Sequence, residues 1–153
     1  MMNKLKIVVA LFSVFLVTNL SLAQATNSAK IFRYITLGKY GKLHLGKSFE
    51  TKDQLSIKLN EKSYKLKKGI FGGARSIIVH LNDSGLIETI EFYYKPGKSF
   101  DETVKFYSKF LGKPSKYKYT ESLKRAVWDD GSTRFEYIQE KAISYSILLN
   151  KSP

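Results

Sequence analysis

The chain has 153 residues, no cysteine, and 26 lysines and arginines against 13 acidic residues. The missing cysteines exclude thiolate metal sites, thiol nucleophiles, thiol redox exchange and a disulfide framework, so stability must come from packing. At 43% hydrophobic residues the composition is that of a globular protein, and nothing beyond the first 25 residues is apolar enough to span a bilayer.

The N-terminus reads as a cleavable export signal. Lys4 and Lys6 precede an eleven-residue apolar run, Ile7 to Val17, and Ser21-Leu22-Ala23 or Ala23-Gln24-Ala25 supplies a small-residue cleavage site. The alternative is an uncleaved anchor, which needs about 20 predominantly apolar residues. Thr18, Asn19, Ser21 and Gln24 shorten the run below that. The expected location is therefore secreted or periplasmic. Without residues 1–25 the chain keeps 24 basic and 13 acidic residues, a net +11. Such a field draws anionic partners: lipid, acidic glycan, nucleic acid or acidic protein. Arginine, whose planar fork suits specific carboxylate and phosphate sites, occurs only at 33, 75, 125 and 134. The lysine-rich remainder reads as diffuse surface charge.

Residues 26–42 lack a clear period and read as an irregular lead-in to a single domain over 43–150. Two-residue alternation follows: Leu43 and Leu45 about His44; Leu55, Ile57 and Leu59; Tyr64 and Leu66. Each is expected to be a strand with one buried face. Glycines 69, 72 and 73 then mark a connection. Arg75, Ile77, Val79 and Leu81 share a face, Asn82-Asp83-Ser84-Gly85 supplies a turn, and Leu86, Glu88, Ile90, Phe92 and Tyr94 continue on a return strand.

Residues 99–111 carry the strongest local signal. Ser99 and Glu102 have capping-box spacing. Phe100, Val104, Tyr107 and Leu111 recur at helical period, with Thr103, Phe106 and Phe110 widening the apolar side. Gly112 stands where a left-handed cap is wanted, and Pro114 stops the helix. Beyond it, Tyr117 with Tyr119, Ala126 with Trp128, Thr133-Phe135-Tyr137 and Ile143-Tyr145-Ile147-Leu149 alternate as strands, with Asp130-Gly131 expected as a type I′ turn. The fold class is α+β: an antiparallel, meandering sheet packed by one helix. Gly46-Lys47-Ser48-Phe49-Glu50 is echoed by Gly97-Lys98-Ser99-Phe100-Asp101. That echo leaves open two tandem helix-plus-hairpin units, with a second helix over 49–59.

The stretch Pro96-Gly97-Lys98-Ser99-Phe100-Asp101-Glu102-Thr103-Val104, closing on Leu111-Gly112-Lys113-Pro114 before a meander, resembles a small exported helix-plus-sheet module. It is similar to SmpA-type outer-membrane assembly lipoproteins and to β-lactamase inhibitor proteins, although the chain has no cysteine to carry the lipid of the former. The resemblance implies a non-catalytic protein that binds other proteins, and it transfers no functional residue.

No catalytic or metal motif stands out. His44 and His80 lie singly on strands, without the three or four spaced ligands of a metal site. Asp129-Asp130-Gly131 suits a turn better than a calcium loop. The glycine-rich segment near Lys67, Lys68 and Arg75 could cradle an anion, or it could simply connect two strands. Ten tyrosines are the chief excess. Tyr93, Tyr117, Tyr119 and Tyr137 are the candidate face for a partner, with cross-strand packing as the competing explanation.

The sequence thus points to an exported, non-catalytic binding module, recognising a protein or anionic envelope component through sheet-face aromatics and lysines. No cofactor is implied. Two rivals stay open. One is an enzyme acting on an anionic envelope polymer, with Asp129 and Glu136 as paired carboxylates; retaining glycosidases hold theirs about 5 Å apart. The other is salt-dependent adsorption to lipid or nucleic acid.

Overall fold

The computed structural model describes residues 30–37, 41–49, 56–67, 73–95 and 97–151. Residues 1–29, on which the expected export signal falls, and Lys68 with the glycines at 69 and 72 lie outside them. A two-stranded hairpin, β1 (Tyr34–Thr36) and β2 (Lys42–His44), precedes one large sheet. Four strands come first: β3 (Ser56–Asn60), β4 (Ser63–Leu66), β5 (Ala74–Leu81) and β6 (Ile87–Tyr94). After helix α1 (Phe100–Leu111) follow β7 (Lys116–Tyr119), β8 (Leu123–Asp129), β9 (Thr133–Glu140) and β10 (Ile143–Asn150).

The sheet is eight-stranded and antiparallel, in the order β3-β4-β5-β6-β10-β9-β8-β7. Two meanders therefore join through their last strands, β6 and β10. Having finished β6 mid-sheet, the chain must restart at the far edge, four strand spacings or about 19 Å away. Twelve helical residues rise about 18 Å, so α1 is long enough to carry the chain across. The α+β class and the antiparallel meander match the expectation. Among the described residues α1 is the one helix, and the tandem reading with a second helix over 49–59 does not hold. Ser56–Asn60 is strand, as the Ile57–Leu59 alternation favours, while residues 50–55 lie outside the described set.

Helix α1 forms for the expected reasons. The Ser99 hydroxyl accepts from the Glu102 amide, and the Glu102 carboxylate accepts from the Ser99 amide, which closes the capping box. Phe100, Val104, Tyr107 and Leu111 are buried on the sheet. Gly112 ends the helix at φ 72, ψ −167, a region essentially restricted to glycine rather than the expected left-handed cap. Its carbonyl accepts a 2.8 Å hydrogen bond from the Trp128 indole, which pins the helix end to β8. Phe106 and Phe110 depart from expectation: they widen the apolar side past the arc the sheet can cover, and stay 46% and 64% exposed.

One face of the sheet is the core face. Cross-strand partners share a face, so registers assemble the row Tyr64, Val79, Ile90, Leu148, Phe135, Trp128 and, beside it, Ile77, Phe92, Ser146, Tyr137, Ala126. Helix α1 covers one end of this face, where Phe100 stacks on Tyr137 and Tyr107 meets Phe135. The other end is covered by residues 31–37 and 41–45, where an irregular lead-in was expected over 26–42. Ile31, Ile35, Leu37 and Leu45 are all buried there, with Phe32 on Phe135. This segment is tied down at its start. The Ile31 amide donates to Asp130, and the Arg33 guanidinium reaches the Ser132 carbonyl, Thr133 and Asn150.

Three local departures have physical causes. Edge strand β3 leaves Ile57 and Leu59 about half exposed, because among the described residues one strand pairs with it and none covers its outer rows. A bulge at Glu88 resets the alternation of β6, so Ile87 is buried in place of Leu86 and Glu88 faces water. A second bulge, between Ala74 and Ser76, turns Arg75 outward. At the β8–β9 turn the loop residues are Gly131 and Ser132. Only Gly131 takes a positive φ, which is the type II′ pattern rather than I′.

Candidate functional site

Among the described residues no element covers the opposite face of the sheet, and the same registers define what it displays. Across β5 to β8 one row reads Ser76, Tyr93, Tyr145, Ile138, Arg125, ending on Lys118 of β7. The next reads Ile78, Glu91, Ile147, Glu136, Val127, Lys116. A third reads His80, Thr89, Leu149, Arg134, Asp129. The centre is thus apolar and aromatic, and the β7–β8 side is basic.

On that basic side a hollow of about 540 Å³ lies along β7 to β9, with Lys116, Lys118, Arg125 and Arg134 among its walls and Tyr117 at its rim. Its two carboxylates already have partners. Glu136, almost wholly buried, accepts a two-pronged bond from Arg125 at 2.9 and 2.6 Å. That pairing raises the guanidinium pKa further. Arg134 bridges to Asp129 at 3.1 Å and to Glu136 at 3.7 Å, and Lys151 donates to Asp129 at 2.9 and 3.0 Å. Burial opposes ionisation of Asp129, but the Gly131 amide, Lys151 and Arg134 together outweigh it and hold the carboxyl below its usual range. Burial likewise opposes ionisation of Asp130, and its bonds from the Ile31, Thr133 and Ser132 groups prevail. Asp130 serves the turn and the N-terminal tether, outside the hollow.

Asp129 and Glu136 do line one hollow on one face, as a paired-carboxylate enzyme would need. Neither is poised as a general acid. A general acid needs a raised pKa to keep its proton near neutrality, whereas Asp129 is lowered and both oxygens of Glu136 are engaged by Arg125. Among the described residues no three His, Asp or Glu side chains cluster as a metal site. None of their helices is long and apolar enough to cross a membrane.

The candidate tyrosines do not form one surface. Tyr93 is on the open face, stacked 5.8 Å from Tyr145 and donating to Glu91 at 2.8 Å. Burial, then that carboxylate, pushes its phenol up to about 12. Tyr117 and Tyr119 pair with Ala126 and Lys124, so they belong to the core-face side of the edge strand, yet remain largely exposed beyond the helix. Tyr119 packs edge-on against Phe100, and Lys124 sits 4.6 Å over its ring. Tyr137 is core, touching Phe100, Tyr107 and Tyr94. Strand parity decides this: Tyr137 opposes Ser146, and Tyr93 opposes its neighbour Tyr145. Lys67 and Arg75 are exposed at the ends of β4 and β5, and Lys68 lies outside the described residues.

Sequence reasoning missed Lys116, Lys118, Arg125 and Arg134 as a set. Their signal was present as alternation, Lys-Tyr-Lys-Tyr on β7 and Arg125-Ala126-Val127 on β8, but converging them requires the register. It also missed that His80, bonded through Nδ1 to Ser63 at 2.9 Å, comes within 3.5 Å of Glu91 on the adjacent strand. No protein family, curated protein or solved structure matches this chain.

Proposed function

We propose that this protein is an exported, non-catalytic binding module whose open sheet face recognises an acidic segment of a partner protein or an anionic envelope component. The observation that carries the reading is the composition of the β7–β9 hollow. Four basic side chains line it, while its two carboxylates are already committed to arginines. A surplus of positive charge remains, and Lys116 and Lys118 supply its most exposed part. Beside the hollow runs the outer edge of β7, which ends the sheet and offers unpaired backbone groups to an extended segment. A strand added there would set alternate acidic side chains opposite the lysines and apolar ones opposite Tyr117 and Tyr119.

The export component rests on the N-terminal signal pattern, and the non-catalytic component agrees with the lowered Asp129 carboxyl and with the resemblance to protein-binding modules. The test is a calorimetric titration with an extended peptide of alternating Glu and Val, at about 50 and about 200 mM salt. Binding that persists at the higher salt and is lost in Lys116→Glu/Lys118→Glu supports the reading. Binding confined to low salt and equal for heparin and nucleic acid would replace it with unspecific adsorption.

A further inference from the structure

On the other side of the sheet, where the chain leaves β6 and turns into α1, a cleft of about 530 Å³ opens between helix and strands. Rings of Tyr94, Phe106, Tyr107 and Tyr137 wall it, and Lys95 and Lys98 stand at its mouth. This volume lies within the about 300–1,000 Å³ typical of small-ligand sites. Inside, the Tyr94 and Tyr107 hydroxyls are 2.9 Å apart and hydrogen-bonded. The Ser146 hydroxyl lies beside both phenols. Burial raises both phenols, so both stay protonated through neutral pH.

The apolar wall does not stop at the mouth. Phe106 meets Phe110 at 5.3 Å, one helical turn on, and both are exposed. Lys98 lies 5.8 Å from the Phe106 ring. The nearest acidic group on that turn, Glu102, is held by the Ser99 cap. A narrow apolar track therefore runs from Tyr137 out to Phe110, with cationic groups at the point where it meets water.

We propose that this cleft binds an acyl-chain amphiphile with a single anionic head group. The chain lies along the aromatic track, and the head group meets Lys95 and Lys98. A free fatty acid and an anionic membrane lipid share this chemistry.

The test titrates the purified protein with dodecanoate and dodecyltrimethylammonium below their micelle concentrations and dodecanol below its solubility limit, following tryptophan and tyrosine fluorescence. Dodecanoate should bind saturably, and dodecanol about tenfold more weakly, since a bond to a charged group exceeds one to a neutral group by about that factor. The cation should bind weaker still. Lys95→Gln/Lys98→Gln, which alters only exposed side chains, should lose about tenfold or more for dodecanoate and little for dodecanol. Equal affinity for dodecanoate and dodecanol, or wild-type affinity in the lysine variant, overturns the proposal. Sedimentation with phosphatidylglycerol and phosphatidylcholine vesicles then separates the sources. Retention on the former alone, weakened by Phe110→Ser, assigns the head group to a bilayer lipid. Dodecanoate binding without retention on vesicles assigns it to a free amphiphile. No residue is shared with the open-face hollow, so the two readings fail independently.

Discussion

Two covers close the core face, and they are built in opposite ways. Helix α1 is specified within its own residues: a capping box at Ser99 and Glu102, four apolar residues at helical period, and a glycine stop. The other cover, residues 31–37 with 41–45, has little local specification. Its strands have three residues each, and its hold on the sheet comes from Ile31, Ile35, Leu37 and Leu45 together with bonds to residues about a hundred positions away. The helix is therefore expected to form early and tolerate changes at distant sites. The N-terminal cover should depend on the β8–β9 turn being already in place.

The largest expected effect is on the helix side. Trp128→Ala removes a fully buried ring that packs on Tyr107 and Phe135 and anchors the Gly112 carbonyl. It should cost about 3–5 kcal/mol in denaturant unfolding. A loss below about 1 kcal/mol would mean that the helix end is not fixed by β8. Asp130→Ala should come next, at about 2–3 kcal/mol, because one carboxylate holds the turn and the Ile31 amide together. Hydrogen exchange would show the difference: protection at Ile31 and Ile35 should fall while α1 keeps its own.

The same carboxylate makes the N-terminal cover acid-sensitive. Its folded pKa lies below the ordinary value, so its contribution is complete above the ordinary aspartate range and is lost as pH falls through the folded pKa. Acid titration should therefore release residues 31–37 before α1, and simultaneous release would contradict the contrast between the covers. A smaller effect, about 1 kcal/mol, is expected for Ser99→Ala, read as fraying of the first turn of α1. Smallest is the edge substitution Ile57→Thr. Strict alternation toward a core would make it costly, whereas its exposure on β3 predicts a change within about 0.5 kcal/mol.

What was legible followed from interactions close in sequence. The helix, its cap and its stop, and the hairpins about Asn82–Gly85 and Gly131 each depend on residues a few positions apart. Alternation also located most strands, and it correctly set Ile77 and Val79 inward with His80 outward. It failed where one extra residue changes parity, at Glu88 and near Arg75, because a bulge leaves no mark in composition. It failed again at Ile57 and Leu59, since an alternating pattern does not tell an edge strand from a central one.

By itself, then, the chain determined its charge, its freedom from cysteine chemistry, an antiparallel α+β class and the position of its helix, all of which are local or additive properties. Only the tertiary structure decided which face each candidate tyrosine takes and that residues 31–37 and 41–45 complete the core. Likewise, only register brings Lys116, Lys118, Arg125 and Arg134 to one hollow. Those outcomes rest on strand register and on contacts between residues far apart in sequence, and a two-residue period is the same whichever neighbour a strand acquires.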